Sequence, residues 1–268
     1  MGILNVTPDS FSDGGQYNKL DIAAKRALEM VEQGADIIDI GGESTRPGAD
    51  VISAEEQMYR VVPVITSLRA KSDVLISVDT SNVTVAKAAL DAGANWINDV
   101  SAGEDAKTTN DEQPEPMLAL AAEKNATIVL MHRKGQSATM QDAPSYEDVC
   151  SEVKEYLLKR ANLAEELGVD KSNIILDPGI GFGKLLEHNL SLLADLKSLS
   201  NLGFPVLLGT SRKRFIDEIS QADDPEKRVG GTCATTAMGV ADGVKIFRVH
   251  DVYENRQAAD IAWQISKK

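Results

Sequence analysis

The sequence is poor in cysteine, in positive charge and in long apolar runs, and each shortage excludes something. Only Cys150 and Cys233 occur among 268 residues, with no CxxC pair. His132, His188 and His250 form no His-x-x-x-His spacing. Neither a disulfide framework nor a zinc site is expected, and a reducing compartment fits. No apolar run approaches the ~20 residues that a membrane-spanning helix needs. The first cation is Lys19, so the start lacks the charged segment of a secretory signal, and Val6 stands where a myristoylated start needs Ser or Thr. The 28 Lys and Arg are outnumbered by 41 Asp and Glu, a net charge of −13 that repels nucleic-acid backbones. These absences predict a cytoplasmic protein that engages neither nucleic acid nor a membrane.

What is present is ordinary for a globular chain: 43% apolar and 26% charged residues, enough at this length to bury roughly three-quarters of the unfolded surface. Eight short runs rich in Ile, Val and Leu recur, at 3–6, 36–40, 74–79, 95–100, 126–131, 173–177, 205–209 and 244–249. They read as parallel strands buried on both faces. Helical patterns lie between them, among them 20–34, 53–69, 84–93 and 145–168, often closed by Gly. Eight strand–helix units predict an α/β fold, a (β/α)8 TIM barrel forming a single domain over 1–268. A doubly wound sheet would want GxGxxG after its first strand, where NVTPDSFSDGG stands instead. The acidic stretch 102–116 reads as a mobile surface loop. Met1 falls almost inside the first strand, which predicts an uncovered N-terminal mouth and leaves room for trimmed residues or an upstream domain.

A barrel of this kind carries its active site at the C-terminal ends of its strands. The residues there are unusually polar: Asn5, Thr7, Asp9 and Asp13; Glu43 to Arg46; Asp79; Asn98 and Asp99; His132; Asp177; Ser211 to Lys213; Arg248 and His250. Each has a plain structural reading. Asp79-Thr80-Ser81-Asn82 can cap a helix, Asp177-Pro178-Gly179 can form a turn, and His132 can be a satisfied loop histidine. Period-2 alternation lets only one of Asn98 and Asp99 point into the mouth. Turns alone do not explain such residues at so many strand ends together. The run DPGIGFGK (177–184) matches neither nucleotide-binding loop, since Leu185 replaces Ser or Thr and Lys184 follows Gly183. It reads as a flexible loop over the mouth in which Phe182 can cover a flat ligand. His188 begins a helix away from any strand end and receives no role.

The segments MGILNVTPDSFSDGG (1–15), DIGGESTRPGA (39–49), ISVDTS (76–81), IND (97–99), LMH (130–132), LDPGIGFGK (176–184), GTSRKRF (209–215) and RVHDV (248–252) span nearly the whole chain. As a set the sequence resembles the dihydropteroate synthases of folate biosynthesis. The resemblance implies a (β/α)8 barrel that joins p-aminobenzoate to 6-hydroxymethyl-7,8-dihydropterin diphosphate, releasing pyrophosphate, with Mg2+, and a homodimeric sulfonamide target. Asp79, Asn98, Asp177 and Lys213 would hold the pterin, with Met131 and Phe182 against its rings. Asn5, Arg248 and His250 would hold the diphosphate, and Asn5 the metal. Phe11, Thr45, Arg46, Pro47, Phe182, Ser211 and Lys213 would frame the aminobenzoate. Lys213, Arg248, His250 and Asp79 would carry the catalysis.

Elementary chemistry agrees with this assignment. A pterin presents adjacent N–H donors and a ring acceptor, which suit a carboxylate, an amide and a cation. Departure of diphosphate needs stabilised negative charge, whereas an aryl amine is neutral at pH 7 and needs no strong base. A dissociative substitution is therefore expected. Two features depart from the family: the hairpin usually found ahead of the first strand is missing, and the acidic loop after Asp99 is longer than in compact bacterial members. GTSRKRF carries no insertion, so sulfonamide sensitivity is the default. A pterin-dependent methyltransferase would have no use for STRP, SRK and RVH. A non-catalytic pterin-binding barrel would be expected to have lost the charge at Lys213 or Arg248.

Overall fold

The computed structural model describes residues 1–7, 16–43, 52–104, 115–135, 140 and 143–268, without the side chains of 16–19. Strands β1 (Gly2–Asn5), β2 (Ile37–Gly41), β3 (Leu75–Asp79), β4 (Trp96–Asp99), β5 (Thr127–Met131) and β6 (Ile174–Asp177) form one parallel sheet in chain order. Strands β7 (Leu207–Leu208) and β8 (Ile246–Phe247) pair in parallel. Two single bridges join these sheets into a closed ring: Leu176 with Val206, and Gly2 with Val249. The eight predicted strands thus close as the (β/α)8 barrel, the last two shortened to two residues each.

Helices α1 (Gln16–Glu32), α2 (Ala54–Arg69), α3 (Val83–Asp91), α4 (Pro116–Lys124), α5 (Val149–Glu166), α6 (Leu186–Ala194), α7 (Leu196–Ser200), α8 (Arg214–Ser220), α9 (Val229–Ala241) and α10 (Val252–Ser266) follow the strands in turn, α6 and α7 both after β6, and α8 and α9 both after β7. Local chemistry sets several ends. Asp148 caps α5 by accepting from Cys150 N and Ser151 N, so that helix starts four residues later than its apolar pattern suggests. Asn82, not Asp79, caps α3, accepting from Thr84 N and Val85 N at 2.9 and 3.2 Å. Asp79 thereby stays on the strand end.

Alternation along each strand divides the barrel into two environments. Ile38, Ile40, Ile76, Val78, Ile97, Ile128, Leu130, Ile174 and Leu176 face the helices in two large apolar clusters. Full burial of each such side chain contributes about 1.5–3 kcal/mol. The ring interior holds a third, small cluster in which Met1, Trp96 and Ile246 pack against Val129, Ile175 and Leu207. The N-terminal mouth, expected to lie uncovered, is therefore filled from inside by side chains of the strands themselves. Most of the acidic stretch, at 105–114, lies outside the described residues.

Candidate active site

Above the apolar plug the interior turns polar. Register places Asn5 beside Gly41, Gly41 beside Asp79 and Asp79 beside Asn98, so one turn of the ring carries these side chains around the mouth. Met131 and Asp177 are register partners on the far side. Arg248, just past β8, reaches across: its Nε donates to Asp39 Oδ2 and its Nη2 to Asp79 Oδ2, both at 2.6 Å. Asn98 Nδ2 donates to the same Asp39 oxygen at 3.1 Å. Gly41 leaves the space between strands open, since a Cβ there would stand 3.4 Å from Asp79 Cβ and 3.8 Å from Asn5 Oδ1. Asp39 Oδ1, Ser77 Oγ and Asp79 Oδ1 are buried and have no hydrogen-bond partner among the described residues. Leaving such an acceptor unsatisfied costs about 1–3 kcal/mol, which makes Asp79 Oδ1, at the end of β3, a candidate for ligand contact, whereas Asp39 and Ser77 lie deeper in mid-strand.

Burial governs the charges. It pushes Asp79 up to about 7, against the lowering effect of Arg248. It raises Asp177, opposed by Lys213 and by the Gly179 N–H. It lowers Lys213 to about 8 while Asp177 pulls the other way. Burial would lower Arg248 too, but Asp39 and Asp79 outweigh it and hold the guanidinium charged. Perturbed, convergent titratable groups of this kind mark functional sites. Of the neighbouring pair, Asn98 faces inward, whereas Asp99 accepts from Ser81, Ser101 and Gly103 and shapes its own loop.

The loop after β6 is held firmly, contrary to the flexibility expected of so many glycines. Lys184 Nζ lies within 3.2 Å of Gly179 O, Phe182 O, His132 O and His132 Nδ1. Asn189 Oδ1 accepts from Gly181 N, and Tyr146 OH donates to Gly183 O, each at 2.7 Å. Gly179 and Gly183 have φ of +66° and +62°, and a Cβ at either would strike the carbonyl of His132 or Lys134. The glycines thus serve close approach and left-handed backbone, not mobility. Burial lowers His132 to about 3, with Lys184 adding to the effect, so this histidine is neutral and accepts from Lys184. The clamped loop sets Phe182 under Lys213, whose Nζ stands 4.6 Å from the ring centroid and also donates to Ile180 O. Gly179 bears on Met131, with a would-be Cβ 3.2 Å from its Cγ.

His188 lies on α6, where its Nδ1 accepts from Leu185 N at 3.1 Å and its ring meets Tyr146 edge-on at 4.8 Å. Since it meets the loop only at its far end, at Leu185 N, and through Tyr146, His188→Ala is expected to leave kcat/KM within about threefold of the parent, about 0.6 kcal/mol. Steady-state kinetics would show a hundredfold loss if this element were misplaced.

The loops after β7 and β8 are tied together. Ser211 Oγ accepts from His250 N at 3.0 Å and lies 2.9 Å from His250 Nδ1. Arg212, at φ +58°, pairs with Asp251 at 2.6 and 3.0 Å. Ser211, Lys213, Arg248 and His250 are thereby brought to one rim. Phe11, Thr45, Arg46 and Pro47 lie outside the described residues, as do Asp9 and Asp13, so the aminobenzoate frame is present only in part. Glu43 is engaged elsewhere, accepting from Gln57 Nε2 and Ile52 N. Two residues escaped the sequence reading. Asp39 was hidden in mid-strand, its one signal a carboxylate in a run buried on both faces. Lys184 was weighed only as a nucleotide-loop lysine. No cluster of three His, Cys, Asp or Glu able to hold a metal exists among the described residues. Nor is any described helix long and apolar enough to cross a membrane.

Comparison with known proteins agrees with this geometry. The profile of the family described as pterin binding enzyme matches residues 1–250. A dihydropteroate synthase of Synechocystis sp. is 47% identical over 98% of this chain and 90% of that protein. A Yersinia pestis dihydropteroate synthase solved with a sulfonamide drug complex superposes with a TM-score of 0.89 at 41% identity, covering 100% of this chain and 94% of that one. A Xanthomonas albilineans dihydropteroate synthase solved with 4-aminobenzoic acid gives a TM-score of 0.89 at 44% identity, covering 100% and 92%. A polar barrel mouth with buried unsatisfied carboxylates, and similarity that runs the length of the chain, place this protein in the pterin-binding enzyme family, among the dihydropteroate synthases.

Proposed function

We propose that the protein condenses p-aminobenzoate with 6-hydroxymethyl-7,8-dihydropterin diphosphate, giving 7,8-dihydropteroate and pyrophosphate, and that sulfonamides compete for the aminobenzoate site. The observation that carries this reading is the ring of inward acceptors on Asp79, Asn98 and Asp177 facing Lys213 above Phe182. In it, Asp177 and Asn98 take the donor edge of the pterin, Asp79 a further N–H, and Lys213 the carbonyl side. Met131 and Phe182 bound the flat ring. Arg248, its Nε–Nη2 edge held by two carboxylates, offers its other edge to the diphosphate together with His250 and Asn5. Asn5 suits Mg2+, because its side-chain amide supplies a hard oxygen at the mouth and this ion is commonly held by one or two protein oxygens plus substrate phosphates. Bound there, the ion would neutralise charge on the leaving pyrophosphate.

The chain's own groups then act on charge separation. As the C–O bond to diphosphate lengthens, Arg248 and His250 stabilise the departing negative charge, and Asp79 and Asp177 favour the cationic pterin methylene. Ser211 and Lys213, with Phe11, Thr45, Arg46 and Pro47, hold the neutral aryl amine in line. No strong general base is needed. The same proposal includes a homodimer in the cytoplasm, checked by sedimentation. The deciding assay follows pyrophosphate release with and without p-aminobenzoate and Mg2+; release without dependence on the aryl amine would overturn the reading.

Pterin association is expected to follow a bell-shaped pH curve. Below about 7 Asp79 takes up a proton and ceases to be a pure acceptor, and above about 8 Lys213 loses its charge. Calorimetry from pH 5.5 to 9.5 checks this, and a flat profile removes both groups from the contact. The order of binding is a further expectation. If segments 7–19 and 43–53 close over the aminobenzoate, a sulfonamide should bind the free protein weakly and tightly once pterin, pyrophosphate and Mg2+ are present. A coupling of about 1–3 kcal/mol is typical. Equal affinity in both titrations would reject ordered closure.

A further inference from the structure

We propose that Asp39 is a positioning residue for the pterin site, holding the side-chain amide of Asn98 in one orientation without touching substrate itself. This rests on the reading above, in which Asn98 contacts the pterin. Asp39 sits in the middle of β2, beside Ile3 and Ser77 in register, and is fully buried. One of its oxygens, Oδ2, accepts both from Asn98 Nδ2 at 3.1 Å and from Arg248 Nε at 2.6 Å. Turning the amide over would set Asn98 Oδ1 against that carboxylate oxygen at the same separation, with two acceptors facing each other and no proton between them. The amide therefore keeps its nitrogen toward Asp39 and its oxygen turned away.

The cost of the arrangement argues against a purely structural role. Lower in the same interior, Val129, Ile175 and Leu207 fill their inward positions with apolar side chains. At Asp39 the chain instead buries a carboxylate, leaves its Oδ1 without a partner among the described residues, and commits Nε of Arg248 to it. A buried ion pair is often no more stabilising than apolar residues of similar volume. What the carboxylate adds is a fixed donor–acceptor pattern at Asn98. That pattern matters because a site built to hydrogen-bond a ligand rejects one whose donors and acceptors do not match.

A double-mutant cycle tests this with calorimetry, using 6-hydroxymethylpterin as the probe and the full chain throughout. Asp39→Leu removes the acceptor while keeping the number and branching of side-chain heavy atoms. It is expected to weaken the pterin at least tenfold in the parent and less than twofold in an Asn98→Ala background, because in that background no amide remains to be oriented. Melting midpoints of all variants are measured alongside, since a merely structural role lowers stability and weakens the pterin equally in both backgrounds. Equal weakening overturns the proposal. If the Leu variant does not fold, Asp39→Asn keeps the volume and one acceptor, and the same cycle should then show at least threefold against no change. Should Asn98→Ala alone leave pterin affinity unaltered, the substrate reading of Asn98 falls and takes this proposal with it. If Asn98→Ala weakens the pterin and the two effects add, only the role of Asp39 falls.

Discussion

Asp177→Asn is expected to weaken pterin binding about a hundredfold, or ~2.7 kcal/mol. Asp177 ends β6 and is 7% exposed, and its Oδ1 already accepts from Gly179 N at 2.7 Å. The Asn variant has one oxygen and one NH2 for two jobs. If the oxygen keeps the Gly179 contact, the NH2 confronts the N–H groups of the pterin. If it turns, the NH2 confronts Gly179 N–H and the clamped loop must shift. Either choice buries a donor against a donor, and the negative charge opposite Lys213 is lost as well. Calorimetry with a pterin lacking the diphosphate isolates the effect, and affinity near that of the parent would sink the assignment of this residue.

Arg248→Ala is expected to act twice. On stability, it strands Asp39 and Asp79, each now 2.6 Å from a guanidinium nitrogen, with about 3–5 kcal/mol lost when one partner of a buried pair is removed. The sign with pH follows from Asp79. Its folded value is already raised to about 7, above its ordinary value, so its contribution favours the folded state at low pH and is lost as pH rises through that value. Removing Arg248, which opposes the rise, moves this window upward. The deficit measured by urea unfolding should therefore be large at pH 8 and smaller near pH 5.5, and a deficit independent of pH would contradict the pairing. On binding, the variant should lose far more affinity for the pterin diphosphate than for the pterin without phosphates, because the free edge of Arg248 is lost. If both ligands weaken equally, Arg248 serves the carboxylates alone.

The sequence by itself determined the architecture, because a parallel strand buried on both faces must be a continuous apolar run and a crossover helix must separate it from the next. Eight such runs, with intervening helices closed by residues such as Gly34 and Gly93 at positive φ, leave little freedom in topology. It determined where the chemistry collects for the same reason: polar residues at the C-terminal ends of apolar strands can converge only at one mouth. Asp79, Asn98, Asp177, Lys213 and Arg248 were legible in that way.

Tertiary structure alone decided how these groups are spent. Arg248 and Asp39 are 209 residues apart in sequence, and only closure of the ring between β8 and β1 brings them to 2.6 Å. No local pattern reports such a contact. The run DPGIGFGK reads locally as a flexible loop because glycine frees the backbone. Its rigidity comes from carbonyls of another strand end and from Lys184 buried beneath it, partners 52 residues away. The inward partner of an alternating pair, Asn98 over Asp99, depends on register, and the deep Asp39 depends on how far the polar layer descends before Val129 and Ile175 begin. Periodicity says which residues share a face; only packing says which of them meet.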